Sequence, residues 1–220
     1  HANVDIARNV AVACEAKGVK LVHISTDHVF SGLHAMMEES ASIAPINIYA
    51  KTKAAGEVAV LDACPSAIVL RTNFFGWGLP YRKSFSDTIL DSLRLGKKIE
   101  LFVDAFFTPI LMGSLILAAH DLADAREKGI FHAVGDERLS KFEFGIRLAK
   151  SFEFEPHLIR PTLLSERIDL APRPLDLSLS NEKLRKTLGR SMGGFDSQLI
   201  VLKTQKRVGR IPEVSIVQDR

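Results

Sequence analysis

Tyr49 and Lys53 stand four residues apart in the run Asn47-Ile48-Tyr49-Ala50-Lys51-Thr52-Lys53. On a helix that spacing puts both side chains on one face, a phenol beside an ammonium. The positive charge favours phenolate over phenol. A phenol poised in this way can pass a proton to or from a carbonyl or alcohol oxygen near neutral pH. Upstream, His23-Ile24-Ser25-Thr26-Asp27 places a hydroxyl, Thr26, at the end of an apolar stretch. Ligands of open α/β sheets bind outside the carboxyl ends of the strands. A hydroxyl there can hydrogen-bond the same substrate oxygen that the tyrosine protonates, joining acid catalysis to stabilisation of the developing charge. Lys53 has a second role open to it, donating to a ribose hydroxyl. Plainer readings stand beside these: surface helices often carry Lys four residues after an aromatic, and a threonine at such a place can simply cap a turn.

The elements that must position these groups read as an α/β pattern. Val4, Ile6, Ala7, Val10, Ala11 and Cys14 recur at helical spacing over 2–17, and Gly18 stops that helix. Residues 19–26 read as a buried strand. Residues 27–44 read as a loop with Ser31-Gly32 as its turn, and Pro45 is expected to open a helix running to about residue 61. Residues 67–71 form a second strand. Helix, strand, helix, strand implies right-handed crossovers and a parallel sheet. Past Gly76 the texture changes: a Gly/Pro loop over 76–83, then helices over 84–95, 112–125, 141–152 and 181–188. Strands are expected over 98–103 and 129–134, and Ser180 is a candidate cap of the last helix. The tail after Gly189 shows one apolar run, 199–202, and then basic, turn-rich sequence with no assigned structure.

The composition is that of a core-forming globular chain, 46% hydrophobic and 25% charged over 220 residues. A net charge of +3, mixed along the chain, gives no electrostatic case for nucleic acid. No apolar run approaches the ~20 residues that span a bilayer. Cys14 and Cys64 lie far apart with no metal-ligand spacing, so no metal site is expected, and they read as reduced thiols of a cytoplasmic protein.

These residues resemble the extended short-chain dehydrogenase/reductase family, and within it the dTDP-4-dehydrorhamnose reductases. The matching blocks are Ser25-Thr26-Asp27-His28-Val29-Phe30-Ser31-Gly32 and Tyr49-Ala50-Lys51-Thr52-Lys53. Looser ones follow in order: Val69-Leu70-Arg71-Thr72-Asn73, Phe107-Thr108-Pro109-Ile110, Gly129-Ile130-Phe131-His132 and Arg173-Pro174-Leu175-Asp176. The resemblance implies an NADP- or NAD-dependent reduction of a nucleotide-linked 4-keto-deoxysugar, with Thr26, Tyr49 and Lys53 as the catalytic set. It implies cofactor contacts from Ser25, Tyr49, Lys53, Thr72 and Asn73. Substrate contacts are implied for Thr26, His28, Asn73 and Phe74, with no nucleic-acid or membrane partner, and it leaves room for a homodimer. His28 stands where the reductases usually carry Tyr; it can hydrogen-bond sugar or diphosphate, or be a polar loop residue. Asn73-Phe74-Phe75-Gly76 is similar to the Asn-x-x-Gly of sugar-nucleotide epimerases.

The expected architecture is the C-terminal part of a Rossmann-like doubly wound parallel sheet with a smaller α/β substrate lobe. Residues 1–76 are expected to be a partial cofactor-binding region, 77–190 the remaining Rossmann elements interleaved with the lobe, and 191–220 an unassigned tail. The chain carries no Gly-x-x-Gly-x-x-Gly turn, the cradle that receives a dinucleotide pyrophosphate. It is therefore expected to be a fragment of a longer reductase with little activity alone. Two other readings stay open: an epimerase or dehydratase that retains its NAD, and a non-catalytic regulatory or binding protein on the same scaffold.

Overall fold

The computed structural model describes residues 2–207, apart from 80, 168, 170 and 171. The first helix opens with a π-type turn, Ala2–Ile6, and continues as α1, Ala7–Lys17. Gly18, at φ +61°, ends it in the left-handed conformation that glycine adopts without strain. The strand that follows is shorter than its apolar pattern suggests: β1 is Val22–Ile24. Val19 N–H is occupied by the Cys14 carbonyl at the helix end, so the chain enters the sheet late. Helix α2, Ile48–Ala63, begins three residues beyond Pro45 because the Asn47 side chain caps it, accepting from Ala50 N–H at 2.9 Å.

Strand β2, Ile68–Arg71, is buried throughout, and β3 is the pair Phe74–Phe75. Helix α3, Phe85–Arg94, starts in a capping box between Ser84 and Asp87. Short strands β4, Ile99–Phe102, β5, Phe106–Phe107, and β6, Ile110–Leu111, lead to α4, Met112–Asp124. Then come β7, Gly129–His132, and β8, Leu139–Ser140. Helix α5, Lys141–Ser151, is closed at its start by a second capping box, Ser140 with Glu143. Strands β9, Ile159–Thr162, and β10, Asp176–Leu177, precede α6, Glu182–Leu188, and α7, Phe195–Arg207. The cap of α6 is Asn181, not Ser180; its side-chain amide is drawn away to the carbonyls of Val134 and Gly135 and to Asp136. The apolar run at 199–202 belongs to α7; residues 208–220 lie outside the described residues.

The central sheet has the order β1-β2-β7, all parallel, with Val22 opposite Ile68 and Ile68 opposite Gly129. Alternation along β2 sends its side chains to opposite faces. Ile68 and Leu70 pack with Leu115, Leu122 and Phe131 under α4, whereas Val69 packs with Ala11 and Val60 under α1 and α2. A second core is aromatic: Phe75, Phe107, Phe144 and Phe195 join Leu90 and Leu202 between α3, α5 and α7. Around it lie a sheet of order β10-β5-β8 and the parallel pairs β3–β6 and β4–β9. Among the described residues no helix is long and apolar enough to cross a membrane.

Candidate active site

The carboxyl end of β1 leads straight into a 3-10 turn, Asp27–Val29. Thr26 is buried and caps that turn: its hydroxyl accepts from His28 N–H at 3.2 Å and donates to Asp27 Oδ1 at 3.1 Å. The capping role that any strand-end threonine can play is thus realised here. Asp27, 1% exposed, also accepts from the Asn73 amide at 2.6 Å, which ties the ends of β1 and β2 together. His28 sits half-buried beside it, its Nε2 4.0 Å from Asp27 Oδ1 and its Nδ1 without a partner among the described residues.

Tyr49 is on the first turn of α2, 52% exposed, with its ring edge-on to His28 at 5.9 Å between centroids. Its hydroxyl has no hydrogen-bond partner among the described residues. Lys53, one turn later, donates to the Ile24 carbonyl at 2.6 Å, so its ammonium is fastened to the end of β1. Burial holds Lys53 below the usual lysine range, and the negative charge of Glu57 opposes that shift. The fold therefore brings Thr26, His28, Tyr49 and Lys53 to one strand end.

Ser25 points away from that surface. Its hydroxyl donates to Glu57 Oε1 at 2.5 Å, and Glu57 is paired with Arg71 through Nε at 3.1 Å and Nη2 at 2.8 Å. Both charged groups are nearly fully buried. Removing one partner of such a pair costs about 3–5 kcal/mol, because the other is left charged and dry. Thr72, just past the end of β2, is buried, and its hydroxyl has no partner among the described residues. Asn73 is partly exposed and Phe74 is 46% exposed.

Sequence reasoning missed Asp27 and Glu57 as organisers of the site. Glu57 continues the four-residue spacing of Tyr49 and Lys53, and that signal could have found it. Beyond His28 and Asn73 a cleft of about 400 Å³ opens toward the aromatic lobe; Phe85, Phe106, Lys141 and Arg173 also line it. Among the described residues no cluster of potential metal ligands occurs.

A parallel sheet between helices, with polar side chains gathered at its carboxyl ends, places the chain in the class of Rossmann-like α/β folds. A solved dTDP-4-dehydrorhamnose reductase from Bacillus anthracis, in complex with NADP, superposes with a TM-score of 0.85 at 28% identity, covering 92% of this chain and 72% of that one. Within the class, the chain belongs to the RmlD substrate binding domain family, whose model matches residues 1–205. A dTDP-4-dehydrorhamnose reductase of Mycolicibacterium smegmatis is 33% identical over 80% of this chain and 54% of its own length. A probable low-salt glycan biosynthesis reductase of Haloferax volcanii is 28% identical over 89% of this chain and 66% of its own. Methionine adenosyltransferase 2 subunit beta of Pongo abelii is 32% identical over 85% and 58%. The chain thus spans between 54% and 66% of the length of these relatives.

Proposed function

We propose that this chain is part of an NAD(P)H-dependent reductase of a nucleotide-linked 4-keto-deoxysugar, with Thr26, Tyr49 and Lys53 as its proton-delivery site. The observation that carries the reading is the free, half-exposed Tyr49 phenol at the strand end where Lys53 is anchored and Thr26 is held. The residues present fit the nicotinamide end of a dinucleotide. Thr72 offers a buried hydroxyl, without a partner among the described residues, at the carboxyl end of β2, and Lys53 and Tyr49 stand at the neighbouring strand end. Asn73 would complete the cofactor side, and Ser25 would brace the strand from below through Glu57. When bound, NADPH or NADH supplies the hydride.

Thr26 turns its hydroxyl proton from Asp27 toward the ketone oxygen. Tyr49 gives its own proton to that oxygen as negative charge builds there, which completes the alcohol. Lys53 places a positive charge near the phenolate left behind and offers donors to a ribose hydroxyl. His28, Asn73 and Phe74 bound the sugar on the cleft side.

The test uses the longer protein that this chain is read as part of, supplied with a 4-keto-deoxysugar nucleotide and NADPH. Tyr49→Phe is expected to lower turnover by roughly 10²–10⁴-fold; unchanged turnover removes Tyr49 as the acid. NAD that stays bound, with no net NADPH consumption, would mark an epimerase or dehydratase instead. The 220-residue chain alone is expected to be nearly inactive, and tight NADPH binding by it would overturn that expectation.

One observation favours a second reading. A relative at 32% identity is named as a subunit of another enzyme, methionine adenosyltransferase 2. A non-catalytic subunit on this scaffold would show no turnover even in the longer protein.

A further inference from the structure

Glu57 completes a four-residue series on one face of α2, after Tyr49 and Lys53. It is 2% exposed. Its Oε1 accepts from the Ser25 hydroxyl at 2.5 Å and from Arg71 Nε at 3.1 Å. Its Oε2 accepts from Arg71 Nη2 at 2.8 Å and Nε at 3.2 Å. One carboxylate thus joins α2 to the ends of β1 and β2. Arg71 pairs with no other carboxylate among the described residues; its guanidinium lies over the Phe30 ring at 5.3 Å.

Stability does not account for this arrangement. A buried ion pair is often no better for stability than apolar side chains of the same volume. Its place beneath the site gives it another use. Ser25 lies between Ile24, whose carbonyl accepts from Lys53 at 2.6 Å, and Thr26. Fixing the Ser25 hydroxyl therefore fixes the carbonyl that seats Lys53 and the backbone that presents the Thr26 hydroxyl. Lys53 is half-buried, which disfavours its ammonium, and Glu57 is the carboxylate that opposes that loss. His23, from β1, faces the same ammonium. Burial, and then Lys53, hold His23 below the usual histidine range, against Glu57, so it stays mostly neutral at neutral pH. Tyr49 stands one turn before Lys53, and Arg71 lies beyond Glu57 with its charge spent on that carboxylate.

We propose that Glu57 is a positioning residue of the proton-delivery site: clamped by Arg71, it fixes the end of β1 through Ser25 and supplies the negative charge against which Lys53 is seated. Its effect on turnover rests on the reductase reading; the seating of Lys53 does not.

The test is acetylation of the full chain with acetic anhydride across a pH series, read at each lysine by mass spectrometry. Glu57→Gln alone strands a buried cation, so the main variant joins it to Arg71→Met. Glutamine keeps an acceptor for Ser25, and a wild-type melting curve confirms folding; Arg71→Gln replaces Arg71→Met if that variant does not fold. Without the Glu57 charge, Lys53 is expected to acetylate several-fold faster at neutral pH, with its midpoint moved to lower pH. Exposed Lys51 on the same helix is expected to stay unchanged, which a general loosening of the fold would not allow. Glu57→Asp keeps the charge and is expected to label like wild type. Equal Lys53 midpoints in wild type and the double variant, or Glu57→Asp labelling like the double variant, would overturn the proposal. In the longer protein the double variant is expected to lower kcat on the order of tenfold, with KM for the sugar nucleotide within about twofold. Unchanged kcat there, beside an impaired Tyr49→Phe, would overturn the role in turnover. A displaced Lys53 midpoint beside unchanged turnover in Tyr49→Phe would leave the seating of Lys53 standing and remove the proposed acid.

Discussion

Asp27 sets what the strand-end hydroxyl can do. It accepts hydrogen bonds from the Thr26 hydroxyl at 3.1 Å and the Asn73 amide at 2.6 Å, so the resting site is internally satisfied until a substrate oxygen competes for Thr26. His132, at the end of β7, shows the opposite condition. Its Nδ1 meets the Met37 carbonyl at 3.0 Å, and its buried Nε2 has no partner among the described residues. Burial, and then the Arg71 guanidinium, push it from 6.5 down to about 3. Between those values the unfolded chain holds a proton that the folded chain does not, so stability rises with pH through that window and is complete above it. The slope is on the order of 1.4 kcal/mol per pH unit. Urea unfolding of His132→Asn is expected to lose less stability than wild type between about pH 6.5 and pH 5; parallel losses would show that His132 does not carry the effect. That Thr26, Tyr49 and Lys53 meet at one strand end was legible in the sequence because the signals are local: a helical spacing and a strand end. The bracing role of Asp27 was not, because its bond to Asn73 joins residues far apart along the chain.

Helices α1 and α2 depend on one small residue for their approach. Gly56 faces the π-type turn that precedes α1, and a Cβ added there would overlap the Asn3 carbonyl oxygen. The Asn3 side chain reaches Thr52 Oγ1 at 3.0 Å across the same contact. Gly56→Ala is therefore expected to destabilise the fold by about 1–3 kcal/mol, the usual cost of overpacking, despite alanine's better helix propensity. A thermal melt checks this, and a raised midpoint would show that the two helices can part at no cost. The longer elements follow from sequence pattern because caps and periodicity agree; Ser84 with Asp87 and Ser140 with Glu143 mark two starts. Two-residue strands such as β3, β5, β6, β8 and β10 carry no measurable period, and β9 contains Pro161, so tertiary pairing alone defines them.

Of the hydrophobic clusters among the described residues, α7 belongs to the aromatic one. Phe195 is 1% exposed, with its ring 4.7 Å from Phe144 and 5.3 Å from Phe75 between centroids. Gln198 fastens the same helix from both ends of its amide, accepting from Leu111 N–H and donating to the Met192 and Gly193 carbonyls. The stretch that read as an unassigned tail from 191 onward is thus, over α7, a wall of the lobe. Phe195→Ala is expected to cost about 3–5 kcal/mol in urea unfolding, as for other buried aromatics; a loss below 1 kcal/mol would show that α7 is peripheral. The position of α7 also orders biosynthesis. Phe75 leaves the ribosome some hundred and twenty residues before Phe195, and domains close as units while synthesis proceeds. The first aromatic wall of the lobe must therefore wait, unsealed, until α7 emerges, and the nascent chain carries that exposed aromatic surface throughout the interval.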